Sequence, residues 1–520
     1  MELMEPKYLF TIILLLTIIT ITFATQRYTR STVNFYVAGR SFGWVMNGSA
    51  IAGDYLSAAT FLGLAGLTFA FGYDGIFYTF CFSAGLTLLT VFVAGPLRRF
   101  GAYTVPDFLA QRFHSKRARL VAVIVVLAIS GFYAAPQILG AAAILKMFFG
   151  TTYKFGVIFT VIVMVFYVGV GGMKGTTINQ ALEIWIRFGA FIILFAIAIA
   201  AGHNYGKILD LLVSFKGAIP DTAAAAASGK AIMHNGPVWE WPGGYLFKTL
   251  PSTISILFGL VFGTLGLPHI LLRFYTNPSA KEARYSGLFA IGIASAFFIL
   301  ALYLGTVGRA VYVEGGLLPH IVKNFTTGGT NMVIPTLAEA LGGKWLLGIV
   351  VAGAFAAVFS NLSGLFIAST GALGHDIYSH FINTNATEKQ KVSAARWSTV
   401  LCGIFYGALG LMVEKLAIGM LVGLAFNVAA STFAPIFVLG IWWRGMTEKG
   451  AIAGMLVGLL SSLYFIFLPS LVPEAIRYPV PGLFTVPLGF LAVYIVSKLD
   501  GMVPADVNDF MVKIHSKEVV

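Results

Sequence analysis

Cysteine is nearly absent from this chain: two residues in 520, Cys81 and Cys402, both inside apolar runs. Neither belongs to a CxxC pair, which excludes a disulfide framework and a cysteine metal cage. Charge is scarce as well. Asp, Glu, Lys and Arg make up 11% of residues, against roughly 25% in soluble domains. No HExxH, GxSxG or P-loop motif occurs, and no repeated run suggests a selectivity filter, so a membrane hydrolase, an NTPase and a channel are disfavoured. The net charge of +13 is not gathered into a basic stripe or an RNA-binding motif, which argues against nucleic acid as a partner. The first apolar run follows the acidic MELMEP and lacks a basic lead and a small-residue cleavage site. It is therefore expected to be a retained helix, not a signal peptide.

What the chain has in abundance is apolar length. Hydrophobic residues make up 58% and aromatics 14%, the composition of an integral membrane protein with interfacial belts. Thirteen apolar runs can be read, at about 7–25, 44–70, 76–96, 119–147, 154–171, 179–201, 249–275, 285–311, 344–377, 394–414, 417–442, 449–468 and 482–498. Most Lys and Arg fall in segments on one side of the membrane, with Arg98, Arg99, Arg112, Lys116, Arg117 and Arg119 as the densest group. The positive-inside rule then predicts an outside N-terminus and an inside C-terminus, in a cell (inner) membrane. Two long external segments, 202–248 and 312–343, are either solvated linkers or caps over the outer face. The tail after Lys498 is short, so no appended effector domain of the kind a membrane sensor carries is expected.

The stretch Gly48–Gly66, GSAIAGDYLSAATFLGLAG, organises the reading. It is apolar enough to be buried in a membrane yet holds Asp54, Tyr55, Ser57 and Thr60, with glycines at 48, 53, 63 and 66. A carboxylate at such depth lines a pathway or faces a partner, and irregular backbone there is tolerated only in protein or along a cavity. The expectation is a broken helix that forms an ion and solute site; the alternative is a Gly-rich packing helix. Five helices later, FGLVFGTLGLPHILLRF is interrupted by Gly259, Gly263, Gly266 and Pro268. Interruptions at corresponding places in two halves are the sequence pointer to a transporter site. The scheme is one transmembrane transporter domain over 1–520: a leading helix at 7–25, a repeat at 44–201, an inverted repeat at 249–442, and trailing helices over 449–498.

At these residues the chain resembles a known family. AIAGDYLSAATFLG (50–63), GYDG (72–75), GGMKGTT (171–177), GLPHILLRF (266–274) and HDIYS (375–379) are similar to motifs of the sodium:solute symporter family, with the bacterial cation/acetate symporters nearest within it. The likeness runs from about residue 35 to 445. It implies an all-α, LeuT-type fold of inverted five-helix repeats with thirteen helices, and a sodium site between the first broken helix and the helix at 344–377. The carbonyls of Gly53, Leu56 and Ala357 fall in ligand positions. Ser360 and Asn361 stand where the family usually has two hydroxyls. Carbonyl, hydroxyl and amide oxygens suit a hard cation. The family's WTD-like segment reads TINQ here, so Gln180 replaces an acid and one coupling cation per substrate is expected.

A small monocarboxylate could meet half-helix N–H groups at the Gly263–Gly266 break, with Thr60, Tyr78, Gln137, Thr264 and Asn427 orienting it. Positions 59, 267 and 268 are Ala, Leu and Pro, which suits a small, partly apolar acid better than a sugar. Asp54 can tune the cation site, carry a proton or bond a neighbouring helix, and Tyr55 can close the site. Glu183 and Arg187, one helical turn apart, are expected to pair as structural residues. His269 is expected to be packed and hydrogen-bonded. The reading is a symporter, without cofactor and not an enzyme, in which an inward flow of a monovalent cation, Na+ or else H+, drives uptake of acetate or another short monocarboxylate. The alternatives are H+-coupled uptake of the same acids, or sodium symport of another small solute such as proline or pantothenate. Oligomeric state is not legible.

Overall fold

The structure is a computed structural model that describes residues 5–214, 249–314, 329–414 and 418–516. The described residues form helices and connecting turns, with no strand among them. In chain order the main helices are α1 (Pro6–Thr25), α2 (Trp44–Tyr55), α3 (Leu64–Phe71), α4 (Ile76–Leu88), α5 (Val105–Phe113), α6 (Lys116–Phe149), α7 (Tyr153–Ala200) and α8 (Leu250–Gly266). There follow α9 (Pro268–Phe274), α10 (Ala280–Val313), α11 (Val333–Thr370), α12 (Glu388–Met412), α13 (Ile418–Trp442), α14 (Glu448–Phe467) and α15 (Gly482–Asp500). Many starts are set by short polar side chains that accept an otherwise unbonded helix N–H: Thr104 for α5, Ser115 for α6, Thr152 for α7 and Ser279 for α10. Thr387 and Gln390 form a reciprocal capping box at the head of α12.

Among the described residues nine helical segments are long and apolar enough to cross a membrane, or ten if α8 and α9, bent by 45°, count as one. Two of the nine, Ala59–Phe100 and Tyr153–Ala200, each take in parts of two of the apolar runs read from the sequence. The 48 residues of α7 would reach about 72 Å as a straight helix, more than twice a ~30 Å hydrocarbon core. The chain turns within it at Gly172, whose φ of 54° lies in the region glycine tolerates and other residues avoid.

Both segments expected to be broken are broken. Helix α2 stops at Tyr55, Leu56 leaves helical geometry at φ −81° and ψ 86°, and the chain resumes through a π-helical turn at Ala59–Gly63 into α3. The second break lies at Leu267, between α8 and α9, and not at Gly263–Gly266, which are still helical. Proline cannot donate the hydrogen bond that would carry α8 onward and suits a helix start instead, so the break falls just ahead of Pro268.

Helix α7 lies along α11 and α8 along α13, while α2 packs between α7 and α10. The described part of the external segment 312–343 is no solvated linker. Its IPTLAEALGG forms the first turns of α11, with Val333 to Ala338 buried, before a turn at Gly343. Residues 215–248 of the other external segment lie outside the described residues; Tyr205–Ser214 is a helix. Two arginines of the dense basic group are in fact inside the protein: Arg112 is buried, and Arg119 bonds Asp107 at 2.7 Å and Asp376 at 2.5 Å.

Candidate functional site

The first break exposes carbonyls that a continuous helix would have used. The last C=O groups of a helix have no partner within it, and they form the negative end of its dipole. At the end of α2 those of Gly53 and Leu56 are met by one side chain: the Arg187 guanidinium, from α7, donates Nη1 to Leu56 O and Nη2 to Gly53 O. The same Nη2 lies 3.4 Å from Ser360 Oγ on α11. Three of the five expected sodium ligands thus converge on one positive group. Ala357 lies on the same buried stretch of α11. Asn361 turns its amide Nδ2 to Asp54 O at 2.5 Å and leaves its buried Oδ1 without a partner among the described residues.

Arg187 does not pair with Glu183 as expected. No ion pair joins them, and neither Glu183 oxygen has a hydrogen-bond partner among the described residues. The guanidinium instead reaches forward to the break, where free carbonyls at a helix C-terminus compete for a cation. Asp54 has a different partner. Its Oδ2 accepts from Arg273 Nε of α9 at 3.0 Å, and Arg273 also donates to Thr177 Oγ1 at 2.9 Å. Gln180 donates to Ser360 O at 2.6 Å and Ser363 Oγ at 3.0 Å, fastening α7 to α11. Within this knot the formal charges of Asp54, Glu183, Arg187 and Arg273 cancel.

The expected substrate residues divide into two groups. Tyr55 and Thr264 are brought together at 2.8 Å across the two broken segments, and Tyr55 also donates to Phe82 O at 2.8 Å. Gln137 Oε1 accepts from Ala58 N at 2.9 Å, so it caps the restart of the first broken helix and leaves Nε2 buried and, among the described residues, unpartnered. Tyr78 sits beside them, its ring 6.1 Å from that of Phe82.

The other group has its polar atoms taken up locally or by other helices. Thr60 turns its hydroxyl back to Ser57 O at 2.7 Å. Asn427 is held by Ser462 and Thr485, each at 3.2 Å, and ties α13 to the trailing helices. Gly263 and Gly266 serve packing. A Cβ on Gly263 would lie 2.6 Å from Phe426 O, and one on Gly266 would collide with Ala429 O. Their N–H groups lie inside α8 and are not free for an anion, while the short α9 opens with a proline that has none.

The residues that sequence reasoning underrated are Arg187, Arg273, Tyr133 and His269. Tyr133 is buried and packs edge-on against His269 at 5.4 Å and Phe426 at 5.6 Å. His269 is packed as expected, but neither ring nitrogen has a hydrogen-bond partner among the described residues. The available signal was the presence of Arg and Glu inside an apolar run, because ionisable groups at membrane depth are costly and functional by default.

A profile of the sodium:solute symporter family matches residues 35–458. The chain belongs to the sodium:solute symporter family. It is a multi-span membrane transporter, not an enzyme. This symporter is 36% identical to the uncharacterized symporter YwcA of Bacillus subtilis (strain 168) over 528 residues, which cover 99% of this chain and 98% of that one. Among solved structures it is similar to a substrate-bound, outward-open Na+-coupled sialic acid symporter, at a TM-score of 0.76 and 16% identity, over 95% of this chain and 97% of that one. It is also similar to a mutant of the Eremococcus coleocola manganese transporter, at a TM-score of 0.50 and 14% identity, over 90% and 95% of the two chains. The likeness to the first of these extends the kinship to the fold, and the symporter's structural neighbours are LeuT-fold-like transporters.

Proposed function

We propose that this protein is a symporter that couples the inward flow of a monovalent cation, with sodium favoured, to the uptake of acetate or another short monocarboxylate. The observation that carries the cation half is the convergence of Gly53 O, Leu56 O and Ser360 Oγ on a single positive group. An oxygen cage at a helix C-terminus has the chemistry a hard cation needs. The sialic acid symporter that shares the fold is described as Na+-coupled, which favours sodium as the ion.

The substrate half is supported by size and polarity. Besides the proposed cation ligands and the buried charged groups, the polar atoms near the breaks include Gln137 Nε2, the His269 ring nitrogens and the Tyr55–Thr264 pair. Around them stand Phe82, Tyr133 and Phe426, with Phe82 and Phe426 5.0 Å apart. One carboxylate with a short apolar tail matches this set better than a polyhydroxyl solute. Since the charges of Asp54, Glu183, Arg187 and Arg273 cancel, an added cation leaves one positive charge that a monocarboxylate would offset. That gives each ligand a reason to favour the other.

The proposed architecture has thirteen crossings with the N-terminus outside and the C-terminus inside, in the cell (inner) membrane, with inverted repeats over 44–201 and 249–442. The breaks in α7 at Gly172 and in α11 at Gly343 support dividing long helices into more crossings than length alone counts. Ion binding at the α2–α11 junction would hold the outward-open arrangement, and its departure inside would release the acid.

The test is uptake of labelled acetate by purified protein in sealed liposomes, under an inward sodium gradient or with choline outside, with and without a proton gradient. Sodium-driven accumulation supports the proposal. Uptake driven by protons alone rejects sodium, and acetate uptake indifferent to every gradient rejects symport of acetate.

A further inference from the structure

Arg187 is buried completely, and among the described residues no carboxylate lies within ion-pair distance of it. A buried cation normally demands a counter-ion. Arg273 has one, Asp54, at 3.0 Å. Arg187 instead has neutral oxygens of the kinds that ligate a hard cation: two carbonyls at the C-terminal end of α2 and a hydroxyl from α11. One turn N-terminal on the same helix stands Glu183, also buried, with neither carboxylate oxygen hydrogen-bonded among the described residues, and with Arg187 itself as its nearest acting charge and Tyr167 as its polar neighbour. Separation by four residues, with Glu on the N-terminal side, is the favourable order for a helical ion pair. The guanidinium therefore has two places to go, and in this structure it occupies the break.

We propose that Arg187 is a tethered occupant of the coupling-ion site. Its guanidinium fills the oxygen cage when no ion is bound, and sodium enters by displacing it onto Glu183. The exchange keeps the carbonyls of Gly53 and Leu56 satisfied in both states, so an ion-free carrier need not bury bare carbonyls and can return without its cargo. It also sets sodium against an intramolecular competitor, which lowers the apparent affinity by the fraction of time the cage is free. Glu183 receives the displaced charge and becomes paired only in the sodium-bound state. This inference rests on the cation site proposed above, but not on the identity of the acid.

The test is binding of radiolabelled sodium to the purified full chain, run beside sodium-stimulated acetate uptake in liposomes. Arg187→Gln keeps a side chain that can donate to a carbonyl but removes the charge. It should lower the sodium concentration for half-occupancy by about tenfold or more, as expected on removing an occupant that holds the site most of the time. Glu183→Gln leaves the guanidinium in the cage and removes its alternative partner, so half-occupancy should require more sodium. Unchanged or weaker sodium binding in Arg187→Gln overturns the proposal. If that variant does not fold, unchanged binding in Glu183→Gln overturns it alone. A wild-type chain that binds no sodium, beside an Arg187→Gln variant that does, supports the tethered occupant while rejecting sodium coupling. Tighter sodium binding in Arg187→Gln with no acetate uptake by either protein supports the occupant and rejects the substrate.

Discussion

Asp54 Oδ2 and Arg273 Nε are 3.0 Å apart, with both side chains sealed from solvent. The pair joins the end of α2 to α9, so it links the first broken segment to the second. Breaking one partner of a buried pair costs about 3–5 kcal/mol, because the other charge is left uncompensated. Asp54→Asn should therefore lower the unfolding temperature markedly and abolish transport. Replacing both residues, Asp54→Asn with Arg273→Gln, should restore part of the stability. The check is thermal unfolding of Asp54→Asn, Arg273→Gln and the double variant; equal losses for the single and double variants would remove the pair as a structural link.

Gly364 makes room for that carboxylate. A Cβ there would run into both Asp54 carboxylate oxygens. Overpacking in a close-packed interior costs typically about 1–3 kcal/mol, and the cost is higher where it also disturbs an ion pair. Gly364→Ala should reduce stability by at least about that much and impair transport, whereas Gly292→Ala, which meets nothing within 4 Å, should be tolerated. Thermal unfolding and uptake measured together distinguish the two.

Gln137 has one end committed and the other unused. Gln137→Glu keeps an acceptor for Ala58 N but removes the Nε2 donor. It should raise the acetate concentration for half-maximal uptake while leaving the break intact. Gln137→Ala removes both ends and leaves a buried N–H without its partner, at a cost of about 1–3 kcal/mol. A concentration series for both variants, with unfolding temperatures, tests the division of labour.

Asp107 lies on α5, outside the membrane-crossing segments. Burial pushes its carboxyl up, but His375 at 3.1 Å and Arg119 at 2.7 Å outweigh burial and hold it below the usual carboxylate range. A depressed folded value means that the stabilisation is full above the unfolded value of about 3.9 and fades as pH falls through the folded one. Asp107→Asn should thus be clearly less stable than wild type at pH 7, with the gap closing only in strong acid. Unfolding temperatures compared between neutral pH and about pH 4 check this, because a gap that has already vanished at the higher acid limit would contradict it.

Much of the fold can be read locally. The apolar runs, the glycines of 48–66 and Pro268 each act through their own neighbourhood, and the two broken segments lie where those residues put them. The position of the second break shifted by a few residues because the glycines of α8 are demanded by close packing on α13, a reason a single segment does not display. Asn427 shows a similar limit: a polar residue in an apolar helix signals a buried partner, and the structure gives it Ser462 and Thr485, which no single segment displays.

The sequence by itself determined that this chain lives in a membrane, where its helices run, where two of them fail, and that ionisable groups are buried among them. Those properties follow from hydropathy and backbone chemistry over a few residues at a time. Only the tertiary structure decided which charge meets which oxygen. Arg187 is four residues from Glu183 and 131 from Leu56, yet its guanidinium goes to Leu56 and Gly53. The carbonyls at the end of α2 become free only when the helix breaks, and they come within reach of Arg187 only when α7 packs against α2.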